Sequence, residues 1–165
     1  MEKNSGRQAM TTRDRQKVLK AAMAAVRECA DTMETQAASL LQALPTVPMG
    51  EGLRTNARVL SEGLKDASSR VTFELALLQT ELVEGKADAA TVVQRLSGMD
   101  ALMMGALAGM ADLADLLEKA AEHDEENERA FVLVIEASGV LLQGLEQAKA
   151  ATQALRAATP TASGK

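Results

Sequence analysis

Apolar side chains recur between Val92 and Ala120 in alternating steps of four and three residues. The positions are Val92, Leu96, Met99, Met103, Ala106, Met110, Leu113, Leu117 and Ala120. A mean spacing of about 3.5 residues places such side chains along one side of a helix, as in a coiled coil. We call a set of positions with this spacing a heptad stripe. The segment is therefore predicted to be a helix that packs lengthwise against other helices.

The first and last helical segments show the same spacing. The first stripe consists of Leu19, Met23, Val26, Ala30, Met33, Ala37, Leu40 and Leu44. The last consists of Phe131, Val134, Ser138, Leu141, Leu145, Ala148, Thr152 and Leu155. Both segments are predicted to be helices of the same kind as the third.

The second segment has a less regular stripe. Its apolar positions are Leu53, Ala57, Leu60, Leu64, Ala67, Val71, Leu75, Leu78 and Leu82. Two successive steps of four around Val71 predict a stutter, which locally unwinds a left-handed supercoil. Phe73 and Leu77 are expected to widen the apolar face in this region.

Residues that start or end helices separate these segments. Thr11 and Thr12 can cap the first helix, and Pro45 ends it before a loop that contains Pro48 and Gly50. Gly85 suits the end of the second helix and Asp88 the cap of the third. The polar run Glu122–Arg129 predicts a third reverse turn, although it contains neither Gly nor Pro. The alternative is a three-helix arrangement with one long helix over 88–158.

We therefore predict an all-α, antiparallel four-helix bundle with coiled-coil-like heptad packing. The bundle is assigned to 12–158, with helices at about 12–44, 52–84, 88–122 and 124–158. Helices of nearly equal length suit an antiparallel bundle about 50 Å long. Residues 1–11 are predicted to be a disordered arm and residues 159–165 a disordered tail.

Composition supports the helical class and an ordinary soluble protein. The 165 residues include nine Met and two Phe, with neither Trp nor Tyr, so strand-favouring aromatic residues are scarce. The net charge of −5 is uneven. Six basic and two acidic side chains lie in 1–20, against twelve acidic and three basic ones in 81–128. The start of the chain lacks the apolar core of a signal peptide, and the charge-free stretch of the third helix is too short to span a membrane. A cytoplasmic location is expected.

The sequence offers few candidates for chemistry. His123 is the one histidine, and it stands among acidic residues without the paired ligands that a metal site on helices needs. Cys29 is the one cysteine and has no neighbour that would activate it. The methionines lie at stripe positions, where they fill the core rather than bind copper. Nucleic-acid binding is not expected, because the basic arm has no aromatic residues for stacking. We therefore expect neither an enzyme nor a cofactor or metal site.

Apolar residues outside the heptad stripes are the most informative for function. On the fourth helix Val132, Leu133, Ile135 and Val140 leave Phe131–Ile135 apolar on every side. On the third helix, Met104 and Leu107 likewise add apolar side chains outside the heptad stripe. A helix that is apolar all round predicts a second contact surface. Val132, Leu133, Val140, Met104 and Leu107 are therefore the interaction-surface candidates.

Two functions follow as hypotheses from this pattern. The first is a non-catalytic interaction protein, an adaptor or chaperone-like module, that binds a protein partner or itself through apolar helix faces. The second is a sensory or ligand-binding bundle that holds a small apolar molecule among the methionines of the third helix. An unfilled cavity near Met99–Met110 would favour the second hypothesis.

Overall fold

Four long α-helices form the fold of this chain in a computed structural model that describes residues 11–159. They are α1 (Thr12–Ala43), α2 (Glu51–Val83), α3 (Ala89–His123) and α4 (Glu128–Ala158). Short 3₁₀ helices follow α1 at Leu44–Thr46 and precede α4 at Glu125–Asn127. The predicted disorder of 1–11 and 159–165 concerns residues that, apart from Thr11 and Thr159, lie outside the described part of the chain.

The helices pack in a ring around one core. α1 lies against α2 and α4, and α3 also lies against α2 and α4, so α1 and α3 are diagonally opposed. Because each connection is short, consecutive helices run in opposite directions. The prediction of an all-α antiparallel four-helix bundle is confirmed.

Side-chain caps and a glycine mark the helix ends. Thr11 Oγ1 accepts a hydrogen bond from the Asp14 amide at 3.1 Å, and Asp88 Oδ1 accepts one from the Thr91 amide at 2.7 Å. Gly85 has φ of +72°, a left-handed conformation that glycine adopts without steric cost. These local signals begin α1 and α3 and end α2.

The connection between α3 and α4 decides between the two predicted arrangements. Asp124 has extended backbone angles (φ −150°, ψ 114°), which no helix tolerates, and its carboxylate accepts a hydrogen bond from the Glu126 amide at 3.0 Å. The Asn127 side chain donates to the Ala120 carbonyl oxygen at 3.5 Å. The alternative of one helix over 88–158 is therefore wrong, because the side chain of Asp124 caps the next turn instead of continuing the first helix.

The stripe of α2 differs from the predicted one. Its buried positions are Ala57, Ser61, Leu64, Ser68, Val71, Leu75 and Leu78, which follow unbroken steps of four and three. The predicted stutter is absent from α2, because two serines occupy core positions where an apolar side chain was expected. Phe73 is 63% exposed and Leu77 is 42% exposed, so they do not widen the buried face. Both point away from the bundle, since Val71 and Leu75 point into it.

Candidate interaction surface

The side of α4 that faces away from the core carries a second heptad stripe. We call it the outer stripe, and its positions, all exposed, are Glu128, Val132, Ile135, Gly139, Leu142 and Glu146. The buried side of the same helix contains Ala130, Val134, Ala137 and Leu141. Because each residue turns the helix by about 100°, Val132 lies about 200° from Ala130. α4 therefore has one stripe in the core and another on the surface.

The middle of the outer stripe is apolar and open. Val132 is 45% exposed, Ile135 46% and Leu142 47%. A Cβ atom placed on Gly139 would have no heavy atom of another helix within 4 Å. Exposed apolar residues at regular helical spacing differ from the scattered ones found on every protein surface. This part of α4 has the pattern of a helix–helix contact.

The five predicted surface residues do not form one patch. Val132 and Val140 are exposed on α4, and Met104 is exposed on α3. Leu133 and Leu107 are half-buried and pack against the core. Val140 lies one turn before Gly144, where an added Cβ would be 3.6 Å from Cys29 Sγ, so Val140 is on the side of α4 nearest α1.

Met104 belongs to α3 and lies beside the flank of α4 opposite Val140. It lines a small surface cavity of about 210 Å³ together with Lys149 and Gln153. Sequence reasoning missed Leu142, although its spacing from Val132, Ile135 and Gly139 repeats the steps of the core stripe. The structure therefore divides the predicted residues between the two flanks of α4, and Leu142 lies about 200° around the helix from Val140.

Charged residues occupy both ends of the outer stripe. Glu128 lies in the first turn of α4 and Glu146 lies beyond the apolar middle, whereas Lys149 is half-buried on the flank that faces α3. Within residues 11–159 the salt bridges are Lys86–Glu84 at 2.8 Å and Arg95–Glu81 at 2.6 Å. Within this range neither Glu128 nor Glu146 forms a salt bridge, and Lys149 forms none but lies close enough to Asp100 to lower the pKa of its carboxyl group.

A polar cluster lies between α3 and α4 beside Met104. Asp100 is only 8% exposed, and its Oδ1 atom has no hydrogen-bond partner. Arg156 Nη2 donates to Ser97 Oγ at 2.6 Å and so joins the two helices. The Thr152 hydroxyl lies near Asp100 but donates to the Ala148 carbonyl oxygen at 2.9 Å. Burial raises the pKa of Asp100, and the neighbouring Thr152 hydroxyl, Lys149 and Arg156 counteract this effect in part.

Cys29 and His123 have side chains of types that can act in catalysis, and the two differ in exposure. Cys29 is 2% exposed, and burial, assisted by the charge of Asp100, raises the pKa of its thiol to about 11. His123 is the last residue of α3 and is exposed. Among the described residues, no cluster of three or more His, Cys, Asp or Glu side chains is placed to hold a metal ion.

The core around Met103 is filled. The space enclosed by Cys29, Met33, Leu64, Met103, Leu107, Leu141 and Leu145 has no room for a water-sized sphere. A small apolar ligand needs a cavity of at least several atoms' volume. This part of the core therefore adds no support to the ligand-binding hypothesis.

A larger groove lies on the surface between α1 and α2. It has a volume of about 830 Å³, and both apolar and charged side chains line it, including Leu19, Met23, Leu82, Lys20, Arg27 and Asp31. Arg27 Nη2 donates to Gln79 Oε1 across it at 3.4 Å. Its mixed lining lacks the continuous apolar spacing of the outer stripe.

The helical segment that includes α4 is long enough and apolar enough to pass a test for membrane-spanning helices. In the described chain, Glu125–Ala158 is the one helical segment that is long and apolar enough to cross a membrane by these two criteria, and 28% of its most apolar window is buried. A bundle helix with one stripe in the core and another apolar stripe outside meets the same criteria.

Comparison with known proteins identifies no relative of this chain. No family model matches the chain, and no curated protein or solved structure is significantly similar to it.

Proposed function

We propose that this chain is a non-catalytic interaction protein, an adaptor or chaperone-like module, that binds through the exposed apolar surface of α4. One observation carries the proposal. Val132, Ile135 and Leu142 on the outer stripe, and Val140 on the flank nearest α1, are each 44–47% exposed within a segment of eleven residues. In water such a segment gains free energy when another surface covers it, at about 25 cal/mol for each Å² of apolar area removed from solvent.

The bundle can present this surface without unfolding. The core stripe of α4 is buried against α1 and α3, which leaves the opposite side of the helix free. The surface belongs to a helix of 31 residues that packs against two neighbouring helices. A partner helix laid along it would meet apolar side chains at successive turns, as in other helix-in-groove complexes.

Substitution of the exposed residues tests the proposal. We expect Val132→Asp and Val140→Asp to reduce binding of a partner, or self-association, at least tenfold without changing helical content. Leu133→Asp is a poor test, because Leu133 packs against the core and the charge would destabilise the fold. Phe73→Asp is the matched control, since Phe73 is exposed and apolar but lies on α2.

Light scattering and affinity capture with the wild-type chain and these variants give the readout. Circular dichroism shows that each variant is folded. A wild-type chain that neither associates with itself nor retains any protein would contradict the proposal. So would equal binding by Val132→Asp, Val140→Asp and the wild type.

A further inference from the structure

We infer that the surface cavity between α3 and α4 binds a small free amino acid, with the ammonium group of the ligand at Asp100 and its carboxylate at Arg156. The cavity is the one of about 210 Å³ that Met104 lines. The inference goes beyond the proposed function and does not depend on it, because no residue of the cavity belongs to the apolar segment 132–142 of α4. Three observations carry it: a buried carboxyl group, two cationic side chains that line the same cavity, and the size of the cavity.

Asp100 supplies the negative charge of the cavity. The residue is 8% exposed and lines the cavity, and its Oδ1 atom has no hydrogen-bond partner among the described residues. The hydroxyl group of Thr152, which also lines the cavity, donates to the carbonyl oxygen of Ala148 at 2.9 Å. A buried carboxyl group without a partner costs free energy, and the cost is largest when the group is ionised. An ammonium group in the cavity would reduce this cost, because the carboxylate can turn about its last side-chain bond and present either oxygen.

Lys149 and Arg156 supply the positive charge. Both side chains line the same cavity, and the charges of both lower the pKa of Asp100. In the part of the chain that the structure describes, neither forms a salt bridge with Asp100. Arg156 Nη2 donates to Ser97 Oγ at 2.6 Å, which holds the guanidinium group beside the cavity and occupies one of its donors. The other donors can bind a carboxylate, whose geometry matches the planar guanidinium group.

The two kinds of charge together select a zwitterion. Lys149 and Arg156 repel a simple ammonium ion, and Asp100 repels a simple carboxylate. A molecule that carries an ammonium group and a carboxylate group close together can meet both kinds of side chain at once. An α-amino acid has this arrangement, because both groups are attached to the same carbon atom.

The cavity has the size of a small amino acid. A cavity of about 150 Å³ is large enough to hold benzene, so this cavity can hold an amino acid with a small side chain. Asp100 is buried, whereas Ala101, Met104 and Gln153 are exposed parts of the lining. The buried carboxyl group is therefore reached from solvent past Ala101 and Met104, which offer apolar contact to the side chain of the amino acid.

Isothermal titration calorimetry at pH 7 tests whether the site exists. Glycine, L-alanine, L-serine and L-valine are titrated into the full chain. Propionate and ethylammonium are the matched probes, since they correspond to alanine without its ammonium group and without its carboxylate. We expect at least one of the four amino acids to bind with a dissociation constant between about 10 μM and 1 mM, because so few atoms make contact. Propionate and ethylammonium should bind at least tenfold more weakly than this amino acid, because each lacks one charged hydrogen-bonding group.

Substitution of the charged residues tests where each group of the ligand binds. Asp100→Asn should weaken binding of the amino acid at least tenfold and strengthen binding of propionate, because the charge that repels a carboxylate is removed. Lys149→Met and Arg156→Gln should weaken binding of both molecules. Asp112→Asn and Lys119→Met are the matched controls, since both residues are exposed on α3 outside the cavity, and neither should change either affinity. Circular dichroism confirms that every variant remains helical.

The outcomes decide the inference independently of the proposed function. Binding of an amino acid that Asp100→Asn and Arg156→Gln weaken, and that the two controls leave unchanged, supports the site. The site is overturned if none of the four amino acids binds at about 10 mM, well above the expected dissociation constants. Equal binding of propionate and the amino acid, or amino-acid binding that Asp100→Asn leaves unchanged, also overturns it. Val132→Asp should not change the affinity for the amino acid, so a failure of the proposed function leaves this site standing.

Discussion

The hydroxyl group of Ser68 in α2 donates a hydrogen bond to the carbonyl oxygen of Ala30 in α1, at 2.8 Å. Both residues are buried, so this bond joins the two helices inside the core. Ser61 lies one heptad earlier on the same stripe and is 0% exposed, but its hydroxyl oxygen has no hydrogen-bond partner. Ser68 and Ser61 thus occupy equivalent positions, but only Ser68 has a hydrogen-bond partner. The presence of a partner decides how much free energy it costs to bury the hydroxyl.

Replacing each serine by alanine should therefore change stability in opposite directions. Ser61→Ala removes an unsatisfied buried hydroxyl and should raise the free energy of unfolding by about 1 kcal/mol. Ser68→Ala removes a satisfied one and should lower it by about 1 kcal/mol. Urea unfolding of both variants and the wild type, followed by circular dichroism, measures the difference. Two changes of the same sign would contradict this prediction.

The two serines also show where sequence reasoning is sufficient and where it is not. The heptad spacing predicts four helices and their antiparallel bundle, because burial of apolar stripes determines the class of fold. It misplaces the core of α2, because a small polar residue at a core position looks like a surface residue in the sequence. Only the position of α1 shows that Ser68 has an acceptor within reach.

The candidate surface was predicted less well for a related reason. The sequence shows an excess of apolar residues on α4 but not which of them face the core. The predicted stripe uses Phe131 and Ser138, whereas the structure buries Ala130 and Ala137, one residue earlier. The other six positions of the predicted stripe are buried as expected, so the difference is confined to the first half of α4, where small alanines lie closest to the neighbouring helices. Ile135 and Leu142 lie outside both the predicted and the observed core positions and are exposed.

Two glycines inside helices should respond differently to alanine. A Cβ on Gly63 of α2 would meet nothing within 4 Å, whereas a Cβ on Gly109 of α3 would be 3.2 Å from Leu60 Cδ2. Gly63→Ala should raise the free energy of unfolding by about 0.5–1 kcal/mol, because alanine favours the helix. Gly109→Ala should gain less, because the side chain of Leu60 has to move.

Chemical denaturation of Gly63→Ala and Gly109→Ala, each with the wild type, gives the comparison. A gain at Gly109 that equals or exceeds the gain at Gly63 would show that α2 and α3 are not in close contact there. The 3.2 Å distance to Leu60 Cδ2 marks Gly109 as a position where α2 and α3 approach closely. Gly105, four residues earlier, has no such neighbour.

Cys29 should be unreactive in the folded chain. Its thiol is buried, and its pKa is raised to about 11, so the reactive thiolate is scarce at pH 8. We expect labelling by a thiol reagent to be at least a hundredfold slower in buffer than in 6 M guanidinium chloride. Gly105→Cys provides an exposed thiol on the same bundle as an internal control. Rapid labelling of Cys29 under native conditions would mean that α1 and α4 separate readily.

The stability of the bundle should depend on pH through Asp100. Burial raises the pKa of its carboxyl group above the ordinary value of about 4, and its Oδ1 atom has no hydrogen-bond partner. As the pH rises from that value, the unfolded chain loses the proton before the folded chain does. The folded state then binds more protons, so the contribution of Asp100 to stability is fully present below pH 4 and is lost as the pH passes the raised pKa.

Asp100→Asn should remove this dependence, because asparagine has a similar shape and does not ionise. We expect the difference in the free energy of unfolding between Asp100→Asn and the wild type to grow in favour of the variant from pH 4 upward. Urea unfolding at several values between pH 4 and pH 8 measures it, and Asp112→Asn on the exposed side of α3 is the control. A difference that shrinks with rising pH would mean that Thr152, Lys149 and Arg156 outweigh burial and stabilise the ionised carboxylate in the folded chain.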